Sequence, residues 1–243
     1  MAQVQVSSPH RANRLLAALE PSDHAFLEPN LSFVELSRGQ VLYEPGEVIQ
    51  YTYFPHKAMV SLVTVMQDGK SAEMATFGSE SLFGLVSAFV SRNSFGRYIV
   101  QISGTASRIE LDRMHEAFRA RPKIQQLVLR FTEALLAQTL QSVACNATHS
   151  VEARCCRWIL STHDRWGEAE VPLTHEFLAE MLGVQRTTVS TVTRTFHEAG
   201  LINQSRGSIT IIDRSGLEAL SCECYEVIRQ KFDQLIPGTW SAT

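Results

Sequence analysis

Residues 173–202 constrain the chain more than any other stretch: LTHEFLAEMLGVQRTTVSTVTRTFHEAGLI. They predict two short helices around a tight turn. In the first, Phe177, Leu178, Met181 and Leu182 recur at helical spacing and make one apolar stripe. Thr174 precedes that stripe as a hydroxyl cap. Gly183 ends it, because glycine enters the left-handed conformation without a steric penalty. A second helix over about 186–199 carries Val189, Val192 and Phe196 inward, and Gly200 closes it with Leu201 folding back.

The outer face of that second helix points to function. Thr187, Ser190, Thr191 and Arg194 lie opposite the apolar stripe, with Arg186 at the flank and Thr188 beside them. Short hydroxyls bond phosphates or base edges, and arginine can fork onto guanine O6 and N7. A helix entering the major groove needs such a set. Residues 203–213 follow with a turn at Arg206-Gly207 and the β-branched run 209–212, which predicts a two-stranded wing with Arg206 at its tip. The rival is a helical hairpin in an ordinary core; the polar outer face and the wing argue against it.

With 243 residues and 44% hydrophobic content the chain can bury a sizeable core, and no run is long enough to span a membrane. The opening MAQVQVSSPHRANR lacks the apolar core of a signal peptide, so a cytoplasmic location is expected. A net charge of −3 excludes a globally basic nucleic-acid binder, so any DNA-attracting field must be local. The cysteines are Cys145, Cys155, Cys156, Cys222 and Cys224. An odd number in a cytoplasmic chain argues against a disulfide framework. Neither the Cys155-Cys156 pair nor Cys222-x-Cys224 has a zinc-knuckle spacer, and no histidine pair sits at ligand spacing, so they read as small apolar core residues with no metal centre.

Ahead of the helix-turn-helix, residues 11–19 predict a short helix. Short strands follow at 31–36, 41–43, 51–54, 59–65, 73–77, 98–102 and 105–109, with turns at Arg38-Gly39, Pro45-Gly46 and Asp68-Gly69. Many short strands with glycine turns predict an antiparallel roll. Residues 123–145 hold neither glycine nor proline and predict one helix about 35 Å long. It has too many apolar residues for one stripe. The seam Ile124, Val128, Phe131 and Leu135 is expected to meet a second copy. Residues 146–150 form a hinge, 151–166 a further helix, and a capping pattern at Ser215 and Glu218 opens a last one. The fold is thus α+β: a jelly-roll-type β-roll over 1–120, a dimerisation helix over 121–146, and a winged helix-turn-helix over 147–243.

This order of parts resembles the Crp/Fnr family of bacterial transcription regulators. The carrying residues are Gly39, Pro45-Gly46, Tyr53-Phe54-Pro55, Val60-Ser61-Leu62, Asp68-Gly69, Gly78 and Ser81-Leu82-Phe83-Gly84. Further on they are Ala144-Cys145-Asn146, His149 to Arg154, Leu178-Ala179 to Gly183-Val184, and Arg186 to Ser190. The resemblance implies a homodimer on a palindromic operator in double-stranded DNA, with RNA polymerase as a partner. It implies base reading by Arg186, Thr187 and Thr191 and a phosphate contact at Thr174. Members often carry Glu and Arg where this chain has Thr187 and Thr191, so the operator does not carry over.

The effector site departs from the family as well. Members that bind cyclic nucleotides place a glutamate just after the glycine matching Gly84; here that residue is Leu85. Arg97 stands near the phosphate-binding arginine, without the adjacent hydroxyl. Both departures argue against cyclic AMP. No cysteine precedes Cys145, which argues against an N-terminal iron–sulfur cluster. A haem would have only lone histidines such as His56 or His115. No cofactor is therefore expected. Two rivals are a β-roll enzyme, for which no metal triad or nucleophile–base motif is found, and a cyclic-nucleotide sensor whose C-terminal domain contacts protein. The expectation is a regulator, not an enzyme, controlled through its roll by an unidentified signal.

Overall fold

A computed structural model of the chain describes residues 8–67 and 71–241. The expected Asp68-Gly69 turn lies outside them. A 3-10 turn at Pro9–Ala12, α1 (Arg14–Ala17) and α2 (Pro21–Leu27) lead into the roll. Asn13 splits the helix expected over 11–19, because its side chain caps α1 by accepting from Leu15 and Leu16.

The roll consists of β1 (Ser32–Leu36), β2 (Val41–Tyr43), β3 (Tyr51–Pro55), β4 (Met59–Val65), β5 (Ser71–Phe77), β6 (Arg97–Ile102) and β7 (Gly104–Glu110). They pair antiparallel in two sheets, ordered β1-β7-β3 and β2-β6-β4-β5. Aromatic rings from both sheets meet inside. Tyr53 stacks on Phe83 at 4.9 Å, Phe83 on Tyr98 at 5.2 Å, and Tyr43 and Phe77 close in on Tyr98. All five are buried. Gly84 follows this stack at φ +91°, and a Cβ there would lie 2.4 Å from the Tyr51 carbonyl oxygen, so no other residue fits.

After α3 (Leu111–Ala120) comes α4 (Pro122–Thr148), a single helix of 27 residues. Its facing differs from expectation. Ile124, Val128 and Phe131 are at most 2% exposed and belong to the core shared with the roll, and Leu135 packs on that core. Ile124, Val128 and Phe131 therefore have no surface left to offer a second copy, while Leu135 is half-buried. The open apolar stripe is Leu129 (52% exposed), Leu136 (58%), Leu140 (62%) and Val143 (66%). Both stripes have helical spacing. The contact that separates them comes from α9 (Cys224–Leu235), which lies along α4 and adds Ile228 and Phe232 to the same core.

The hinge is shorter than expected, since α4 continues to Thr148 and Ser150 already caps α5 (Val151–Trp166) by accepting from Ala153. The winged helix then consists of β8 (Glu170–Val171), α6 (His175–Leu182), α7 (Arg186–Glu198), β9 (Ile202–Ser205) and β10 (Ser208–Ile211). Gly183 and Gly200 stop α6 and α7 in the left-handed conformation, and the Leu201 N–H bonds back to the Phe196 carbonyl as the sequence predicts. The wing gains β8 as a third strand, in the order β8-β10-β9.

The single C-terminal helix expected after Ser215 is two. Asp213, not Ser215, caps α8 (Arg214–Leu220) by accepting from Gly216. The chain then turns a corner at residues 221–223 before α9. Leu220 and Val227 are left exposed, while Ile228, Phe232, Ile236 and Trp240 return to the first core.

The two halves meet through buried charge. Arg165 on α5 pairs with Glu80 from the roll at 2.9 Å, donates to Gln138 of α4 at 2.8 Å, and lies over the Trp240 ring. Asp164 beside it accepts from Arg214, Tyr225 and Trp240. Arg14 from the N-terminal segment donates to the carbonyls of Asp164, Arg165, Thr239 and Trp240.

Candidate nucleic-acid interface

Two helices and the wing build the exposed polar face. The α7 residues Val189, Val192 and Phe196 are buried against α6, which turns Arg186, Thr187, Thr191 and Arg194 outward. Arg206 is exposed at the wing tip. Thr191 donates to the Thr187 carbonyl, a bond within the helix that leaves the hydroxyl oxygen able to accept.

Other expected residues are held inside the unit. Ser190 is half-buried; it donates to the Arg186 carbonyl and bonds His175 at 2.9 Å. The other ring nitrogen of His175 meets Thr193 at 3.2 Å. His175 thus pins α6 to α7 and fixes the angle between them. The sequence reading missed it, because a lone histidine at a helix start carries no periodic signal. Thr188 is half-buried too. Thr174 caps α6 by accepting from Phe177, which leaves it at the helix N-terminus, where backbone N–H groups favour an anion.

The rim of this face is already in contact with charged groups of the same chain. Arg186 pairs with Glu176 at 2.6 Å, both well exposed. The Glu176 carboxyl is held below its usual range, first by its own backbone N–H and also by Arg186. Arg38, in the turn between β1 and β2, donates to the Thr174 hydroxyl at 3.0 Å. Arg38, Thr174, Glu176, Arg186 and the wing residues 204–208 line one open groove. Arg38 stood in the sequence only as a turn residue, and its reach to Thr174 spans 136 positions.

The expected effector residues differ in setting: Gly84 follows the aromatic stack at φ +91°. Leu85 is fully buried, and Arg97 is half-buried and pairs with Glu44 at 3.0 Å. His56 bonds Ser107 at 2.7 Å, and burial lowers its pKa to about 4.

The cysteines divide. Cys155 and Cys156 are core residues of α5, and burial pushes the Cys156 thiol up to about 12. Cys145, Cys222 and Cys224 instead converge with His149. Linear spacing holds no sign of this, because the corner between α8 and α9 meets the end of α4 from more than seventy positions away. The expectation of no metal centre therefore loses its basis.

Comparison with known proteins agrees with this layout. The family profile of the cyclic nucleotide-binding domain matches residues 33–121, and that of the Crp-like helix-turn-helix domain matches residues 153–220. A CRP-like cAMP-activated global transcriptional regulator of Mycobacterium tuberculosis is 25% identical over 212 residues, 84% of this chain and 94% of the relative. The global nitrogen regulator of Synechococcus elongatus is 22% identical over 193 residues, 75% of this chain and 86% of the relative. Among solved structures, FixK2 from Bradyrhizobium japonicum has a TM-score of 0.70 at 16% identity, covering 79% of this chain and 98% of that one. A CRP/FNR-family regulator from Thermus thermophilus has a TM-score of 0.64 at 19% identity, covering 78% and 98%.

Proposed function

From the premise that this chain belongs to the Crp/Fnr family and is a DNA-binding transcription regulator, we propose that it works as a cytoplasmic homodimer on a palindromic operator. It acts by binding, with RNA polymerase as its further partner and no catalytic step of its own. The exposed stripe Leu129, Leu136, Leu140 and Val143 carries the dimer reading. These residues follow spacings of seven, four and three along α4, the repeat of a coiled-coil seam. Left in water, they would form an exposed apolar strip on a long helix. Two copies joined there would hold two reading heads for half-sites about 34 Å apart.

In each head, Arg186, Thr187, Thr191 and Arg194 face the bases, and Thr174 and Arg206 meet phosphates. The Arg186–Glu176 pair is exposed and weak, so Arg186 can exchange its partner for guanine at little cost. Arg186→Ala is expected to weaken specific binding by about 1–3 kcal/mol and to relax preference at one position per half-site. A randomised-operator selection checks this, and an unchanged base preference would remove Arg186 from the reading set. Ser190 is assigned instead to the α6–α7 contact through His175.

Control is assigned to the seating of the reading head against the roll. Arg38 on Thr174 covers part of the phosphate-facing rim, and Glu80 with Arg165 anchors α5. A signal that favours another seating would open the groove. The Mycobacterium relative is described as cAMP-activated. In this chain Leu85 stands where the ribose-binding acid would be, and stacked aromatics occupy the roll. Cyclic AMP is expected to give no calorimetric isotherm at micromolar concentration. A clear isotherm in that range would reverse this reading.

A further inference from the structure

Cys145 lies in the last turn of α4, and His149 follows four residues later, directly beyond the helix end. That spacing puts both on one side of the helix. Cys222 and Cys224 come from the corner between α8 and α9, more than seventy positions away. The four donor atoms all lie within 4.8 Å of one another. The sulfurs of Cys145 and Cys222 are 3.5 Å apart, and Cys224 Sγ is 3.6 Å from His149 Nδ1. The three cysteines are buried and form a small cluster separate from both main cores.

These separations suit one ion. Metal–sulfur bonds of about 2.3 Å and metal–nitrogen bonds of about 2.0 Å in a tetrahedron place neighbouring donors about 3.5–3.8 Å apart, as the Cys145–Cys222 and Cys224–His149 separations are. An iron–sulfur cluster spreads its cysteines over several iron atoms and holds them further apart. The surroundings are also those of a ligand set. His149 turns Nδ1 toward sulfur, and its Nε2 meets Glu223 Oε2 at 3.1 Å. A carboxylate on the far nitrogen fixes the tautomer and orients the ring in metal sites. Gln141 donates to Cys224 Sγ at 3.1 Å, a contact that stabilises thiolate. An apolar cysteine cluster would need neither partner.

We propose that Cys145, His149, Cys222 and Cys224 bind one divalent thiophilic ion of the zinc class in a closed, four-coordinate site. The three thiols give up their protons to solvent as the ion enters. The site ties the end of α4 to the start of α9, beside the short hinge before α5. Loading therefore sets how firmly the reading head is held to the long helix. This goes beyond the regulator reading and does not depend on it.

The test uses the full chain, purified anaerobically without chelator, then stripped and titrated with Co2+. About one ion per chain is expected, with the intense visible bands of a tetrahedral sulfur-rich site that Zn2+ abolishes. Cys222→Ser and His149→Gln should each weaken binding at least about tenfold. Glu223→Gln should weaken it about tenfold while keeping the tetrahedral spectrum. Cys155→Ser should bind like the parent. A stripped chain with native circular dichroism and no tetrahedral cobalt spectrum would overturn the proposal. So would undiminished binding in Cys222→Ser, iron accompanied by acid-labile sulfide, or a Cys145–Cys222 disulfide in the anaerobic protein.

Discussion

Leu136→Asp is expected to turn the protein monomeric and to remove most of its operator affinity. Leu136 sits in the middle of the exposed stripe of α4 and is 58% exposed. In a two-fold dimer built on that stripe, the residue approaches its own copy. Aspartate would set two carboxylates together at a desolvated seam, costing several kcal/mol or forcing one to stay protonated. A loss of about 4 kcal/mol raises a dissociation constant about a thousandfold. Operator affinity falls too, because each monomer reads one half-site and loses the effective concentration of the other. Sedimentation velocity with operator titration checks this. The monomer should keep its circular dichroism, since the substituted side chain faces solvent. Phe131→Asp should behave differently: a charge in the shared core should unfold the chain instead of splitting a dimer. A Leu136→Asp protein that stays dimeric at micromolar concentration would move the interface elsewhere.

Glu80→Ala is expected to destabilise the chain by about 3–5 kcal/mol, because it strands the Arg165 guanidinium without its counter-charge. Both side chains of the pair are at most 3% exposed, so water cannot replace the lost partner. Arg165 would retain Gln138, the face of Trp240 and the Glu73 carboxyl, which burial pushes up to about 8 and so keeps protonated at neutral pH; none of them neutralises it. The double replacement Glu80→Met with Arg165→Met should recover most of the loss, because the cost lies in the orphaned charge more than in the missing pair. Urea unfolding of parent, single and double variants gives the three midpoints. A single variant within about 1 kcal/mol of the parent would mean the pair does not hold the two halves together.

The roll, the long helix and the helix-turn-helix were legible because each rests on local pattern. Alternating apolar residues with glycine turns predicted seven strands near their observed places. The stops at Gly183 and Gly200 and the cap at Thr174 followed from backbone preferences of single residues. The inward set Val189, Val192 and Phe196 followed from helical period alone. Where two local signals competed, the sequence misled. Asn13 broke a helix that the apolar pattern supported, and Asp213 took the cap expected of Ser215.

Sequence by itself therefore determined the kinds of element, their order and the chemistry of the reading helix, since these depend on neighbours a few positions apart. Tertiary structure decided which of two apolar stripes on α4 is buried, because α9 arrives there from about a hundred residues away. It decided that Arg38 reaches Thr174 across 136 positions, and that Ser190 serves His175 instead of facing outward. It also brought Cys145 and His149 to Cys222 and Cys224, which the linear sequence holds more than seventy positions apart. Each of these is a contact between surfaces that chain folding makes adjacent, and a helical or strand period holds no record of which surface will meet which.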